Sequence, residues 1–298
     1  MHKKIQEISK GLKSNFFYNY DLYKSTWFQA GGNCDFFCIV ENINELKKIL
    51  KSIGDIPYFV IGSGSNLLIR DGGYKGLIIK LGKSFNKIYL QNNEIISGAG
   101  ILDVNLSKFA YINSIKNFEF YSGIPGNIGG AIKMNAGCFG NETKNILNSV
   151  TVINKNGEEE LIKNKLLNFG YRNSDIKNEI IVSASFNAEV DDKNKIKFKI
   201  EEIKQKRKLT QPIKFKTGGS TFKNPSSYFA AELIEKSECK GLNVGDAYVS
   251  DKHSNFLINK NNASAGQIED LGKMIIERVY EKFGILLEWE IKIIGNYK

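Results

Sequence analysis

The sequence has few of the residues that form disulfides or bind metals. Among 298 residues there are four cysteines and two histidines. The cysteines, Cys34, Cys38, Cys138 and Cys239, are scattered and form no CxxC pair. The sequence therefore predicts neither a disulfide framework nor a metal site. Cys34 and Cys38 share one face of an apparent strand, and we interpret all four cysteines as buried free thiols.

Long apolar runs are also absent. None approaches the roughly 20 residues that a membrane-spanning helix requires. The start, MHKKIQEISK, turns polar where a signal peptide has its apolar stretch. With 42% hydrophobic residues, the chain can bury a substantial core. These features predict a globular, cytoplasmic protein of two or three structural units, with no membrane partner.

Acidic residues are outnumbered by basic ones, which leaves a formal net charge of +10. Such a charge is compatible with nucleic acid, a membrane surface or a phosphorylated substrate. The lysines are dispersed, however, in a chain that is also rich in Asn and Ile, which indicates a general compositional bias. We therefore expect no nucleic-acid partner. A phosphate-bearing ligand is compatible with either interpretation.

Hydrophobic periodicity indicates alternating strands and helices. Residues 35–40 are predicted to form a strand, INELKKILKSIG a helix ending at Gly54, and IPYFVIG a second strand. Further predicted elements are a strand at GLIIKLG, hairpins over 86–99 and through Asn156-Gly157, and helices at LDVNLSKFAYINSI, DDKNKIKFKIEEIKQKRKL, YFAAELIEKSEC and 264–283. In the last helix the core face is predicted to contain Ile268, Leu271, Ile275, Val279 and Phe283.

The first candidate binding segment is VIGSGSNLLIRDGG, residues 60–73. An apolar strand ends there in a loop, residues 62–66, whose glycines permit tight turns and let backbone N–H groups approach an anion. A dinucleotide pyrophosphate would suit it. The segment is neither GxGxxG nor a P-loop, so the residues alone leave two interpretations, a cofactor cradle or an ordinary turn.

A second candidate segment is FEFYSGIPGNIGGAIKMNAGCFG, residues 118–140. From Gly123 to Gly140 it contains six glycines and Pro125, which predicts neither an ordinary helix nor a strand. Such a density is costly in conformational entropy unless the backbone must approach something closely. Because apolar residues are interleaved with the glycines as if packed, we predict contact with a ligand instead of a flexible loop.

Together these segments resemble the FAD-binding domain of the vanillyl-alcohol-oxidase type and, in detail, the UDP-N-acetylenolpyruvoylglucosamine reductase family. That family carries an IGxGSNLL-like loop and an SGIPGxxGGAxxMNAGxxG-like stretch. Five further blocks resemble family motifs in the same order: Ser25-Thr26 with Gly31-Gly32, FGYRNS at 169–174, GSTFKNP at 219–225, VSDKHSNFLIN at 249–259, and LEWEIKIIG at 287–295. The chain resembles the shorter branch, which lacks an extra substrate-capping insertion.

The resemblance implies an α/β fold with noncovalently bound FAD. The FAD-binding domain would have two parts, residues 1–80 and 81–205, and an α/β substrate domain, residues 206–298, would close over the flavin. The implied cofactor-binding residues are Gly62, Ser63, Gly64, Ser65, Asn66, Ser122, Gly123, Ile124, Pro125, Gly126, Gly129, Asn135 and Gly137. For Asn66 we also expect a bond within its own turn, as is common for asparagine.

The resemblance also implies a reaction, the NADPH-dependent, FAD-mediated reduction of a UDP-linked enolpyruvyl aminosugar in peptidoglycan precursor synthesis by a monomeric enzyme. Motif matches assign a catalytic cation to Arg172 and the proton donor to Ser220. Glu290 matches the third catalytic position, but Glu288 points the same way in a strand, so periodicity cannot choose between them. The implied substrate contacts are Lys223, Asn224 and, more weakly, Lys252 and His253, with a structural role favoured for His253.

Two alternatives are open at this point. One is an oxidase of the same fold with a covalently attached flavin, for which only Cys138 is available, because His2 and His253 lie outside the flavin segments. The other is a basic nucleic-acid-binding protein, which would account for the charge but leaves the glycine-rich segments unexplained.

Overall fold

The computed structural model describes all 298 residues. The chain folds into two compact units, each assembled from separated segments. The first unit contains residues 1–17, 36–62 and 76–205. The second unit contains residues 18–35, 63–75 and 206–298.

The secondary structure mixes helices with many short strands, several of which follow one another without an α-helix between them. The seven α-helices are α1 His2–Ser9, α2 Ile43–Ile53, α3 Asp103–Ile112, α4 Ile128–Lys133, α5 Lys193–Thr210, α6 Ala230–Lys236 and α7 Ala265–Phe283. The nineteen strands are β1 Asn15–Asp21, β2 Asn33–Val40, β3 Tyr58–Ile61, β4 Leu67–Ile69, β5 Tyr74–Leu81, β6 Ile88–Gln91, β7 Glu94–Gly98, β8 Gly137–Cys138, β9 Asn141–Glu142, β10 Leu147–Ile153, β11 Glu159–Lys163, β12 Phe169–Gly170, β13 Asn173–Ser174, β14 Ile180–Asn187, β15 Lys216–Ser220, β16 Asn243–Val244, β17 Ala247–Val249, β18 Phe256–Asn259 and β19 Lys292–Ile294.

Helix ends follow from local capping. The Asn42 side chain accepts a hydrogen bond from the Glu45 N–H at the start of α2, and Gly54 follows its end. A capping box of Ser264 and Gln267 starts α7. The expectation that residues 123–140 form neither helix nor strand is wrong in part, because α4 forms there around two glycines, with Ile128 and Ile132 buried.

Two larger sheets have all or most of their residues in the first unit. One has the order β1-β2-β5-β3, with β3 and β5 parallel, and most of its residues belong to this unit. The other is antiparallel, in the order β11-β10-β14-β7-β6. Its β6–β7 and β10–β11 pairs are the two predicted hairpins, and the second turns through Gly157 at a φ of 72°. One core packs the antiparallel sheet against α3 and α4, and another packs α2 against β2 and β5.

The second unit is built around one antiparallel sheet, in the order β15-β18-β17-β16. A second, parallel pair joins β19 to β4. The predicted core face of α7 is confirmed at Ile268, Leu271, Ile275 and Val279, each 0% exposed. It is wrong at Phe283, which is 36% exposed because the helix ends there, before Gly284.

All four cysteines are free thiols. Cys34, Cys38 and Cys239 are buried, and burial raises the pKa of the Cys34 thiol to about 12. Cys138 is only half-buried, so the expectation of burial is wrong for this residue, whose short strand β8 lies near the surface. No cluster of three or more His, Cys, Asp or Glu side chains could hold a metal ion. None of the helices is both long and apolar enough to span a membrane.

Candidate functional site

The loop after β3 presents several unbonded amides. Gly64 is buried with a φ of 69°, and a Cβ atom there would collide with the Ser25 carbonyl oxygen, so only glycine fits. The N–H groups of Ser63, Gly64 and Asn66 donate to no backbone or side-chain acceptor of the protein. Consecutive amides without acceptors can bind an anion such as a pyrophosphate.

The Asn66 side chain does not bond its own turn. Its Nδ2 donates to the Glu290 carbonyl oxygen at 3.1 Å, and the Asn66 carbonyl oxygen accepts from the Lys292 N–H at 3.0 Å. The expectation of a bond within the turn is therefore wrong, because the C-terminal segment runs alongside and supplies the partner. Asn66 instead links this loop to the segment that carries Glu290.

The glycine-rich segment contains a buried hydroxyl that suits a ligand. Ser122 is 8% exposed and its Oγ has no hydrogen-bond partner. An unpaired buried hydroxyl costs about 1–3 kcal/mol, a cost that is removed when a ligand bonds to it. Next to it, the Gly126 carbonyl oxygen accepts from the Asp103 N–H at 3.1 Å, which ties the segment to the start of α3.

Two glycines of this segment are required by the protein itself. At Gly129 an added Cβ would lie 3.1 Å from the Ala99 Cβ, and at Gly137 it would lie 2.6 Å from the Asn141 carbonyl oxygen. These glycines permit close approach between segments of the first unit. Close approach within the protein therefore accounts for part of the glycine density.

Asn135 is fully buried, and both polar atoms of its side chain form hydrogen bonds with protein groups. Its Nδ2 donates to Glu142 Oε2 at 2.9 Å and to the Gly170 carbonyl oxygen at 3.1 Å. Its Oδ1 accepts from the Lys144 N–H at 3.0 Å. Because Gly170 begins the turn between β12 and β13, the Asn135 side chain holds the backbone that carries Arg172.

Arg172 lies in that two-residue turn with a φ of 55°, a left-handed conformation unusual for arginine. Its Nη2 donates to the Gly137 carbonyl oxygen at 3.0 Å. Its guanidinium carbon lies 5.0 Å from the centroid of the Tyr171 ring. The turn thus presents a half-buried guanidinium that is oriented by a carbonyl oxygen and an aromatic ring.

Ser220 ends β15 at a break in the sheet. The pairing with β18 shifts register between Thr217 and Ser220, and Gly219 has a φ of 82° there. The next residue, Thr221, donates its N–H to the Asn255 carbonyl oxygen at 2.8 Å. Its carbonyl oxygen accepts from the Glu290 N–H at 2.8 Å. The fold therefore brings the Ser220 segment and Glu290 together from distant parts of the sequence.

The structure separates the two carboxylates that periodicity could not. Glu288 has a side chain 71% exposed, and its Oε2 lies 3.0 Å from Lys223 Nζ in an ion pair. Glu290 is half-buried, and its backbone is bonded on one side to Thr221 and on the other to Asn66. The backbones of both residues bond the segment after Ser220, since the Glu288 carbonyl oxygen accepts from the Lys223 N–H at 2.8 Å, so the two residues differ in side-chain exposure.

The other predicted substrate contacts are bonded within the second unit. The Asn224 Oδ1 accepts from the Ala230 N–H at 3.0 Å, at the start of α6. The exposed Lys252 Nζ donates to the Lys208 carbonyl oxygen at 2.6 Å. His253 Nδ1 accepts from the Asn255 N–H at 3.3 Å, and burial lowers the pKa of its imidazole.

Sequence reasoning missed two buried polar residues. Asn255 is 4% exposed and bonds the Phe222 backbone through its side chain; the only signal was an asparagine immediately before a buried strand. Asp103 is 1% exposed, neither carboxyl oxygen has a partner, and burial raises its pKa well above the usual range. At the first position of a helix, an aspartate looks like an ordinary N-terminal acid.

An open cleft in the second unit combines basic and aromatic groups. It is lined by Lys24, Thr26, Trp27, Gln29, Ser63, Lys214, Phe215 and Lys216. Thr26 is 3% exposed and its Oγ1 has no partner, while the Trp27 ring is 41% exposed. Lysines beside exposed rings suit a ligand that combines phosphate groups with a planar ring.

Comparisons with known proteins agree with this geometry. A family model described as the UDP-N-acetylenolpyruvoylglucosamine reductase C-terminal domain matches residues 211–294. A second model, described as a FAD binding domain, matches residues 34–161. These matches, with the solved structure described next, confirm the predicted fold class as an α/β protein with a FAD-binding domain and a C-terminal α/β domain.

Similar proteins match over nearly the whole chain. The UDP-N-acetylenolpyruvoylglucosamine reductase of Rickettsia typhi is 42% identical over 96% of this chain and 98% of its own length. The Rickettsia prowazekii protein of that name is 41% identical over the same shares. The crystal structure of the Thermus caldophilus UDP-N-acetylenolpyruvylglucosamine reductase has a TM-score of 0.83 at 32% identity, covering 95% of this chain and 99% of that chain.

Proposed function

The chain belongs to the UDP-N-acetylenolpyruvoylglucosamine reductase family, and on that premise we propose that it reduces the enolpyruvyl group of UDP-N-acetylglucosamine enolpyruvate to give UDP-N-acetylmuramate. FAD is the cofactor and NADPH the reductant. The observation that carries the proposal is the backbone bonding that joins two motif residues, Ser220 and Glu290, through Thr221. The two residues come together only in the folded chain, so neither motif alone predicts this pairing.

The residues present fit a bound flavin nucleotide. The amides of Ser63, Gly64 and Asn66 offer donors for a pyrophosphate, and the Ser122 hydroxyl offers a buried donor without a partner. When bound, FAD would accept hydride from NADPH and supply it to the enolpyruvyl double bond. The protein residues then bind the substrate, compensate its developing charge and supply a proton. The motif match also proposes Ile124, Pro125 and Gly126 as part of the flavin site.

Arg172 binds the substrate carboxylate. Addition of hydride to the terminal carbon of the enolpyruvyl group places negative charge on the adjacent carbon and the carboxylate. A guanidinium does not lose its charge near neutral pH and can bond both carboxylate oxygens. The bond to the Gly137 carbonyl oxygen and the Tyr171 ring orient it beforehand, which is how fixed charges stabilise a transition state effectively.

Ser220 donates the proton that completes the reduction, to the carbon next to the carboxylate. A serine hydroxyl is a weak acid, so it needs neighbouring groups that compensate charge as the proton leaves. Glu290 is held beside the Ser220 segment by the Thr221 backbone, and we propose that it assists this transfer. Lys223, Asn224 and Lys252 are proposed substrate contacts, and the cleft beside Trp27 suits a nucleotide phosphate.

We also propose where the enzyme acts and which partners it needs. A monomeric, cytoplasmic enzyme of peptidoglycan precursor synthesis, contributing to cell-wall formation, cell shape and division, would need neither nucleic acid nor a membrane as partner. The division into residues 1–80, 81–205 and 206–298 is part of the same proposal. Absence of salt-sensitive binding to polyphosphate would exclude the nucleic-acid alternative.

The visible spectrum of the purified protein tests the function. We expect a flavin absorption band that NADPH bleaches and the UDP-linked enolpyruvyl substrate restores. Acid precipitation should release the flavin into the supernatant, since attachment is noncovalent. A protein that stays colourless after incubation with FAD, or a bleached band that the substrate does not restore, contradicts the proposal.

A further inference from the structure

Asn255 pairs with a single residue of the Ser220 segment. Its Oδ1 accepts from the Phe222 N–H at 2.9 Å, and its Nδ2 donates to the Phe222 carbonyl oxygen at 2.8 Å. The amide thus imitates the two bonds that a directly opposed residue makes in an antiparallel ladder. Both Asn255 and Phe222 are buried, so water does not readily replace either bond.

The residue between Ser220 and Phe222 is held from the same side. Thr221 is 0% exposed. Its N–H donates to the Asn255 carbonyl oxygen at 2.8 Å, and its Oγ1 accepts from the Leu257 N–H at 3.1 Å. The Glu290 N–H bonds the Thr221 carbonyl oxygen from the other side. Asn255 and Leu257 therefore bond Thr221 on one side, and Glu290 bonds it on the other.

These bonds matter because the sheet pairing is irregular just before Ser220, which is itself paired with Phe256. The pairing of β15 with β18 is irregular between Thr217 and Ser220. An irregularity of this kind interrupts the ladder and re-aims the side chain beside it. The direction of the Ser220 side chain consequently depends also on the residues that follow; the Asn255 side chain holds Phe222 and its backbone carbonyl oxygen holds Thr221.

We infer that Asn255 is a positioning residue, which aims the Ser220 hydroxyl at the substrate carbon by holding Thr221 and Phe222. The inference rests on the proposed role of Ser220. Asn255 transfers no proton and touches no substrate. Its effect should appear only in the step that uses Ser220, because hydride transfer from NADPH to the flavin needs no proton from that hydroxyl.

The first test is Asn255→Asp in the holoenzyme. The carboxylate has the same shape and still accepts from the Phe222 N–H, but when ionised it cannot donate to the Phe222 carbonyl oxygen. We expect flavin reoxidation by the UDP-linked enolpyruvyl substrate to slow about 10- to 100-fold, as small misplacements of a reacting group do. Flavin reduction by NADPH should change less than about twofold. Equal slowing of both half-reactions in stopped-flow would overturn the inference.

A double-mutant cycle with Ser220→Ala tests whether Asn255 acts through Ser220. If it does, adding Asn255→Asp to Ser220→Ala should change reoxidation far less than Asn255→Asp does alone. Effects that multiply independently would overturn the inference. Should Asn255→Asp fail to fold, Asn255→Ser, which also loses the donor to Phe222, takes its place in the cycle.

Hydrogen exchange gives a readout that does not depend on activity. Asn255→Asp should speed amide exchange at Thr221 and Phe222. The matched control is Asn259→Asp, at the end of β18, the strand that Asn255 precedes. Asn259 is 1% exposed and its side chain bonds the Phe28 carbonyl oxygen instead, so this change should leave exchange at Thr221 and Phe222 unchanged. Faster exchange with normal reoxidation would refute positioning by Asn255. Wild-type protein that the substrate does not reoxidise would refute the proposed function instead.

Discussion

The turn that carries Arg172 in the first unit and the irregular end of β15 that carries Ser220 in the second are held in place by different kinds of hydrogen bond. Each presents a polar side chain from a short backbone irregularity, and each is held by a buried asparagine. Asn135 shares its bonds among three residues, one of which is the Glu142 carboxylate. The Asn255 side chain bonds only the neutral peptide groups of Phe222.

The two hydrogen-bond networks match the charges of the side chains that they hold in place. Arg172 carries a positive charge and has a left-handed backbone conformation. The hydrogen-bond network around it includes a carboxylate and the Gly137 carbonyl oxygen. Ser220 is neutral, and the residues after it are held by bonds from backbone and amide groups. The first arrangement should therefore be more sensitive to changes in charge, and the second to changes in geometry.

The largest expected effect is that of Ser220→Ala. Removing a positioned proton donor slows the step it serves by about 10²- to 10⁴-fold. We expect this slowing in flavin reoxidation by the enolpyruvyl substrate, with flavin reduction by NADPH little changed. Stopped-flow measurement of each half-reaction decides it. Unchanged reoxidation would exclude Ser220 as the donor, and equal slowing of both steps would make it a structural residue.

Arg172→Lys should have the next largest effect. Lysine keeps the charge but loses the planar fork that bonds two carboxylate oxygens. We expect kcat/KM for the UDP-linked substrate to fall about 10- to 100-fold, equivalent to about 1.4–2.8 kcal/mol of transition-state stabilisation. Steady-state kinetics measures it, with the exposed Arg278→Lys on α7 as a control that should behave as wild type. A variant with normal kcat/KM would place Arg172 outside the reacting site.

Asn135→Asp tests the charged network directly. The new carboxylate cannot donate to Gly170, and it faces the Glu142 carboxylate at hydrogen-bond distance. Repulsion between them should loosen the Arg172 turn and raise the KM for the UDP-linked substrate about tenfold, the change expected from roughly 1.4 kcal/mol. Neutralising the repulsion with a second change, Glu142→Gln, should recover part of the loss. No recovery would mean that the two side chains do not interact as described.

Asp103→Asn should have the smallest effect, on stability alone. Burial raises the Asp103 pKa in the folded protein. The favourable contribution of this carboxyl to the free energy of unfolding is therefore fully present below its unfolded-state pKa, and it is lost as pH rises through its folded-state pKa. Removing the charge should therefore stabilise the protein more at pH 8 than at pH 5, by up to about 1.4 kcal/mol for each pH unit between the two pKa values.

Chemical unfolding of the holoenzyme at both pH values measures this difference. The exposed Asp55 in the same unit serves as the control, since Asp55→Asn should leave the pH dependence unchanged. A stability difference between Asp103→Asn and wild type that is the same at both pH values would contradict a buried carboxyl of raised pKa.

Much of the fold was predictable because local rules decide it. Asn42 and Gly54 mark the ends of α2, and the spacing of Ile268, Leu271 and Ile275 gives the buried face of α7. Asn156-Gly157 marks the turn between β10 and β11. In these cases the signal lies within a few residues, where capping, turn preference and periodicity act directly.

The sequence by itself determined the family, the positions of the motifs and most secondary structure. Only the tertiary structure shows that the Glu288 side chain pairs with Lys223 while the Glu290 backbone bonds Thr221, because one strand period gives both carboxylates the same direction. It also decided the partners of Asn66 and Asn255. Their hydrogen bonds join residues far apart in the chain, and such bonds depend on how strands pack, which no local pattern encodes.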